Sequence, residues 1–168
     1  HPHYLDIQQL NDASSTGLFD IIKISAAHWH RVRPSYQILN TGAALGDDCG
    51  PLLISRKYSE PPSNNNWDVV LPGLETTASY LFQFAFPEIK NKQALLFSAI
   101  EQALVDGLYD TGVIIHESRF NYAQKGLHLL CDLGTYWSTK TGCPIPLGLI
   151  AVRRSLPEKL KMEIRASI

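Results

Sequence analysis

The stretch Trp67-Asp68-Val69-Val70-Leu71-Pro72-Gly73-Leu74-Glu75-Thr76-Thr77-Ala78 holds the plan of the fold. Val69, Val70 and Leu71 form a short apolar run that predicts a strand, and Pro72-Gly73 ends it. Thr76 or Thr77 can then cap a helix over 78–86, which Pro87 stops. A strand, a tight turn and a helix in immediate succession predict an α/β protein.

The same alternation runs outward in both directions. Toward the N-terminus, Phe19-Asp20-Ile21-Ile22-Lys23-Ile24 is bounded by Gly17 and reads as a strand. A short helix over 26–32 follows and ends before Pro34, and Pro51-Leu52-Leu53-Ile54-Ser55 is another strand. Toward the C-terminus, Ala94-Leu95-Leu96-Phe97 reads as a strand, and Ser98-Ala99-Ile100-Glu101 as a capping box opening a helix that ends by Gly107. Strands are predicted over 110–115, 127–133 and 147–152. Helices are predicted over 118–125 and 135–141, with Gly126 and Gly142 as their stops. The segment 58–66, rich in Pro, Ser and Asn, is a linker between two such blocks. The last strand can return to the first block. The expectation is a two-lobe α/β fold with mixed, mainly parallel sheets. Residues 1–57 plus 146–168 would form one lobe and 58–145 the other, with a ligand cleft between them.

Composition narrows the function. Apolar residues make up 45% and charged residues 18% of the 168, the latter low against roughly 25% in soluble domains. Disorder is thereby excluded as the main state. Fifteen Lys and Arg against 16 Asp and Glu leave a net charge of −1, so a nucleic-acid partner or an anionic membrane surface is not expected. No apolar run approaches the roughly 18–20 residues that span a bilayer, and His1-Pro2-His3-Tyr4-Leu5-Asp6 lacks the pattern of a signal peptide. Cys49, Cys131 and Cys143 are odd in number with no close pair. They argue against a disulfide scaffold or a Cys-based zinc site and suit a cytoplasmic setting. Position 1 is not Met, and Ser155-Leu156-Pro157-Glu158 reads as the start of a helix that reaches the last residue. Both ends predict an interior part of a longer protein.

Three places can carry chemistry. Val113-Ile114-Ile115-His116-Glu117-Ser118 is an apolar strand that breaks into polar residues where ligands border parallel α/β sheets. His116 there is either a general base or a hydrogen-bonding surface residue, and spacing alone slightly favours the second. Pro72-Gly73-Leu74-Glu75-Thr76-Thr77-Ala78 presents two hydroxyls and free backbone N–H groups at a helix start, suited to a carboxylate or phosphate. Plain helix capping is the equal alternative. Burial of both hydroxyls in the lobe's own core would leave only that. Leu39-Asn40-Thr41-Gly42-Ala43-Ala44-Leu45-Gly46 lets backbone approach a planar ligand, with hydrogen bonds from Asn40 and Thr41; composition alone prefers a flexible turn. His28-Trp29-His30 places its rings on different helix faces, so a structural role is expected and no metal. No dinucleotide or phosphate-loop fingerprint occurs, and no cofactor is expected.

Together these stretches resemble the 1,4-dihydroxy-6-naphthoate synthase family of the futalosine route to menaquinone. The resemblance rests on Phe19–Ser25, Leu39–Gly46, Cys49-Gly50-Pro51-Leu52-Leu53, the Pro72-Gly73…Thr76-Thr77-Ala78 motif and Val113–Phe120. Asp132-Leu133-Gly134…Tyr136-Trp137 and Pro144-Ile145-Pro146-Leu147-Gly148 complete it, in the family's order. It implies a type II periplasmic-binding-protein-like fold used for catalysis. It also implies a small-molecule substrate, cyclic dehypoxanthinyl futalosine, an aromatic carboxylate joined to a sugar-derived ring. By the same resemblance His116 matches the catalytic base. Thr76 and Thr77 would bind the carboxylate or sugar hydroxyls, and Asn40, Thr41 and Ser55 would line the other wall. The family's Ser-Pro-Cys-Pro-Asn-Asp-Thr-Phe opening motif does not occur in this chain. A solute-binding protein of the same fold and the chorismate dehydratase of the same pathway are the alternatives.

Overall fold

The computed structural model describes residues 2–47, 49–64, 67–115 and 120–168. The chain divides into two compact units. One holds the residues up to Leu45 together with Glu75–Thr77 and Pro146–Ile168; the other holds Gly46–Leu74 and Ala78–Ile145. Ile21 and Val69 lie in separate sheets.

The first unit opens with helix α1 (Ile7–Thr16). Asp6 caps it by accepting from Gln8 N, its own N–H donates to Gln9 Oε1 at 3.0 Å, and Gly17 ends it at φ 67°. Strand β1 (Ile21–Ser25) turns Ile22 and Ile24 inward and Ile21 and Lys23 outward, the period of a half-buried strand. A 3₁₀ turn (Ala26–His28) leads into α2 (Trp29–Val32), stopped before Pro34. The strand β9 (Ile145–Arg153) lies between β1 and β2 (Tyr36–Ile38), antiparallel to both, and β3 (Ala44–Gly46) also pairs with it. Ala13, Ile22, Ile24, Val32, Tyr36 and Ala151 form the core, and Tyr36 Oη donates to Phe19 O at 2.6 Å. Helix α6 (Glu158–Ser167) closes the chain with Pro157 at its N-cap and no side-chain cap, so Ser155 does not form the expected box.

In the second unit five strands stand in the order β6-β5-β7-β4-β8. They are β4 (Leu52–Ser55), β5 (Val69–Leu71), β6 (Lys92–Ala94), β7 (Thr111–Ile114) and β8 (His128–Asp132). Helix α3 (Thr77–Ala85) connects β5 to β6, α4 (Phe97–Val105) connects β6 to β7, and α5 (Leu133–Thr141) follows β8. Leu52, Ile54, Val70, Ile100, Leu104, Ile114 and Leu127 form this unit's core.

The class is α/β with mixed sheets, and two expectations need correction. Pairing is not mainly parallel: β1 and β2 run antiparallel to β9, and β4 runs antiparallel to β7 and β8. Parallel pairing joins β5 to β6 and β7. Strand–helix alternation implies parallel neighbours only where consecutive strands adjoin. Here β4 takes β7 and β8, far along the chain, as its neighbours. The division at residue 57 is also displaced, because β4 belongs to the second sheet. All four of its residues are buried and both its edges are paired, so it cannot belong to the first unit. The Pro- and Asn-rich segment links β4 to β5 of one sheet. Smaller differences lie at 94–98: β6 ends at Ala94, and α4 starts at Phe97 with Leu96 as an N-cap without a side-chain bond.

Candidate functional site

The turn between β5 and α3 is built from the sequence upward. Gly73 adopts φ 130°, a conformation L side chains rarely take, which lets the chain reverse directly after the strand. Its last residues, Glu75–Thr77, belong to the first unit. There Glu75 is gripped at every polar group. Its N–H donates to Gln8 Oε1 at 3.1 Å, and its carbonyl accepts from Asn11 Nδ2 at 3.0 Å. Its carboxylate faces Arg31 Nε at 3.1 Å and His28 Nδ1 at 2.9 Å. The His28 contact lies outside hydrogen-bond geometry, so it acts electrostatically.

The partners are themselves fixed. Asn11 is fully buried; its Oδ1 accepts from Ser25 N at 2.9 Å and its Nδ2 also donates to Ser25 Oγ at 3.0 Å. The buried His28 ring places Nε2 at 3.1 Å from Ser14 Oγ and 3.3 Å from Ser15 Oγ. Burial pushes the ring's pKa below its ordinary value near 6.5. The Glu75 carboxylate opposes that shift, and the nearby Arg31 guanidinium adds to it. His30 turns elsewhere, with Nδ1 at 2.8 Å from Ala27 O, as the spacing of the two rings predicts.

Thr76 and Thr77 are both buried. Thr77 is the first residue of α3, and Thr76 precedes it. Thr77 Oγ1 donates to Leu147 O at 2.9 Å and lies 3.5 Å from Ala27 N, so its hydroxyl ties the helix start to β9 within the first unit. That assignment of the Thr77 hydroxyl is structural and differs from the expected ligand contact.

The other expected residues are spread across the chain. Asn40 is exposed and Thr41 half-buried in a turn of the first unit, anchored by Leu39 N donating to Ile150 O of β9 at 2.9 Å. The Thr76–Thr77 segment and this turn thus both attach to β9. Ser55 is placed differently from expectation, at the end of β4 in the second unit and fully buried. Its Oγ donates to Asp110 O at 2.8 Å and accepts from Lys57 N at 3.0 Å and Tyr58 N at 2.9 Å. One hydroxyl serving three backbone groups organises a turn, a role Ser commonly takes at strand ends. His116 lies outside the described residues; β7, which precedes it, is buried throughout. Sequence reading passed over Glu75, Asn11 and Gln8, because an acid at a helix start ordinarily reads as a solvated first-turn residue.

This architecture is that of the solute-binding, periplasmic-binding-protein-like α/β proteins. The ligand-binding component of an ABC-type import system from Staphylococcus aureus superposes with a TM-score of 0.69 at 13% identity, covering 99% of this chain and 60% of that one. A crystal structure of an Archaeoglobus fulgidus protein superposes with a TM-score of 0.87 at 34% identity, covering 95% and 59%. The family described as menaquinone biosynthesis matches residues 2–168, and the chain belongs to that family. A 1,4-dihydroxy-6-naphthoate synthase from Streptomyces coelicolor is 35% identical over 174 residues, covering 98% of this chain. The chain spans 61% of that relative's length. Among the described residues, no helix is long and apolar enough to cross a membrane.

Proposed function

We propose that this chain acts as a 1,4-dihydroxy-6-naphthoate synthase, a carbon–carbon lyase working in the cytoplasm. Its substrate in this reading is cyclic dehypoxanthinyl futalosine, and the family match across residues 2–168 is the observation that carries it. The name of the Streptomyces coelicolor relative supports the same reading.

The chemistry needs one base. Removing a hydroxyl proton lets the oxygen's electrons form a carbonyl as the neighbouring carbon–carbon bond breaks; the electron pair of that bond passes to the other carbon as an enolate, which takes a proton back, and formation of the aromatic ring drives the cleavage forward. His116 is assigned that base, since an imidazole titrates near neutral pH. The start of α3 is assigned the substrate carboxylate. The helix dipole favours an anion there, and Thr76 stands at that point. Asn40 and Thr41 are assigned contacts to the rest of the substrate.

The test is steady-state kinetics of the full-length protein and its His116→Asn variant. The variant is expected to keep its melting temperature and substrate affinity and to lose turnover by about 10²-fold or more. Turnover near that of the unaltered protein would remove His116 from the mechanism.

A further inference from the structure

A cavity of about 430 Å³ opens within the first unit, where the ends of α1 and β9 meet the turn before β2. Gly17 at the end of α1, Ser35 before β2, and Arg153, Arg154 and Ser155 at the end of β9 line it. None of these residues is assigned to the substrate above. The volume falls within the range of small-molecule sites, about 300–1,000 Å³.

Two guanidinium groups at one cavity repel each other unless negative charge lies nearby. Arg153 Nε is 3.8 Å from Asp20 Oδ1, beyond hydrogen-bond reach, and that carboxylate is exposed. The end of α1 contributes about half a negative charge more. Arg154 uses its Nε on Arg33 O at 2.8 Å. The neighbouring Lys161 is matched by Glu158 Oε1 at 2.7 Å, so that pair leaves the balance unaltered. A positive surplus remains. The Nη groups of both arginines and the hydroxyls of Ser35 and Ser155 carry no hydrogen bond among the described residues.

The backbone beneath these donors is fixed. Arg153 N donates to Asp20 O at 2.8 Å, and Arg154 N to Ser35 O at 2.9 Å. Lys161 Nζ donates to Arg154 O at 2.9 Å. Gly17, at φ 67°, leaves the room that the Arg153 guanidinium takes, since a Cβ there would stand 2.5 Å from Nη2. Donors already held in place lower the ordering cost of binding.

We propose that this cavity binds the phosphate group of a small phosphorylated molecule. A phosphate monoester carries about −1.5 to −2 charge at neutral pH and three acceptor oxygens. That charge balances two guanidinium groups, whose planar forks match phosphate oxygens, and the two serine hydroxyls complete the donor set. A carboxylate brings one charge and two oxygens and leaves one guanidinium unmatched. The cavity is larger than a phosphate group, and the remaining space takes the organic part.

The experiment is isothermal titration calorimetry on the full-length protein at neutral pH and constant ionic strength. Inorganic phosphate, glycerol 3-phosphate and acetate are the ligands. Arg153→Gln, Arg154→Gln and Ser35→Ala alter the cavity. Lys159→Gln, on an exposed side chain of α6, removes a positive charge elsewhere on the same unit. Thermal unfolding of each is measured alongside. Both phosphates are expected to bind with Kd on the order of 1 mM, and acetate about tenfold more weakly or less. Arg153→Gln and Arg154→Gln should each weaken phosphate about tenfold and Ser35→Ala about threefold. Lys159→Gln should leave it within about twofold. Arg154→Gln, on an exposed side chain, decides the matter if Arg153→Gln does not fold. No saturable phosphate binding, or unchanged affinity in Arg154→Gln, would overturn the site. A loss in Lys159→Gln equal to that in the arginine variants would reveal a general charge effect and overturn it as well. Acetate binding as tightly as phosphate would overturn the choice of a phosphate group. Inorganic phosphate binding where glycerol 3-phosphate does not would overturn the phosphorylated molecule as its occupant.

Discussion

Replacing Gly134 by Ala sets two effects of opposite sign against each other. Gly134 is the second residue of α5, where Ala is ordinarily better than Gly by up to about 1 kcal/mol. A Cβ on Gly134 would stand 2.8 Å from Gly50 Cα, 2.8 Å from Gly50 N and 2.9 Å from Ile145 Cδ1. Nonbonded carbons normally rest about 3.5–4.0 Å apart. The isoleucine tip can rotate away, but the Gly50 backbone cannot without moving the entry to β4. Overpacking of this kind costs about 1–3 kcal/mol, which leaves a net loss of about 1–2 kcal/mol after the helical gain. For a chain of this size that lowers Tm by roughly 2–8 °C. Circular dichroism during a thermal ramp measures it, with a conservative change at the exposed Thr139 as control. An unchanged or raised Tm would show that the two backbones do not cross where the structure places them.

Three further outcomes follow from the same geometry. Asp132→Ala removes the cap that accepts from Gly134 N at 2.9 Å and Thr135 N at 3.0 Å, and should cost about 1 kcal/mol in urea unfolding while Asp132→Asn retains most of it. Thr77→Val deletes the bond to Leu147 O and should cost about 1–3 kcal/mol; no loss of stability would return Thr77 to a purely ligand-facing role. Burial holds folded His28 below its ordinary value near 6.5, so as pH falls through that value the unfolded chain takes up a proton that the folded chain does not. Stability is expected in full above that pH and to decline below it until folded His28 itself protonates. His28→Gln should flatten that decline, and equal slopes would refute the assignment.

The local elements were legible because each is announced within a few residues. Ile22 and Ile24 alternate with Lys23, and Pro34 and Pro87 mark where helices cannot continue. Pro72-Gly73 separates a strand from a helix in one reading. Sheet direction was not legible, because β4 pairs with β7 and β8, and only tertiary packing selects those neighbours over β5. Ser55 shows the same limit: a hydroxyl after an apolar strand suits a ligand wall and a turn equally, and Asp110, 55 positions away, decides between them. Glu75 was hidden for the same reason, since its partners Gln8 and Asn11 lie 67 and 64 positions away. The motif around it was visible, whereas the arrangement that orients it exists only in three dimensions.

The central claim is that this chain breaks a carbon–carbon bond and does not merely hold a solute. The most direct measurement incubates the full-length protein with cyclic dehypoxanthinyl futalosine in excess and follows the products by liquid chromatography with mass detection. 1,4-Dihydroxy-6-naphthoate is expected to accumulate over many turnovers, with the cyclic compound consumed in equal amount. Saturable binding of the cyclic compound with no product formed would contradict it and favour a binding protein of the same fold.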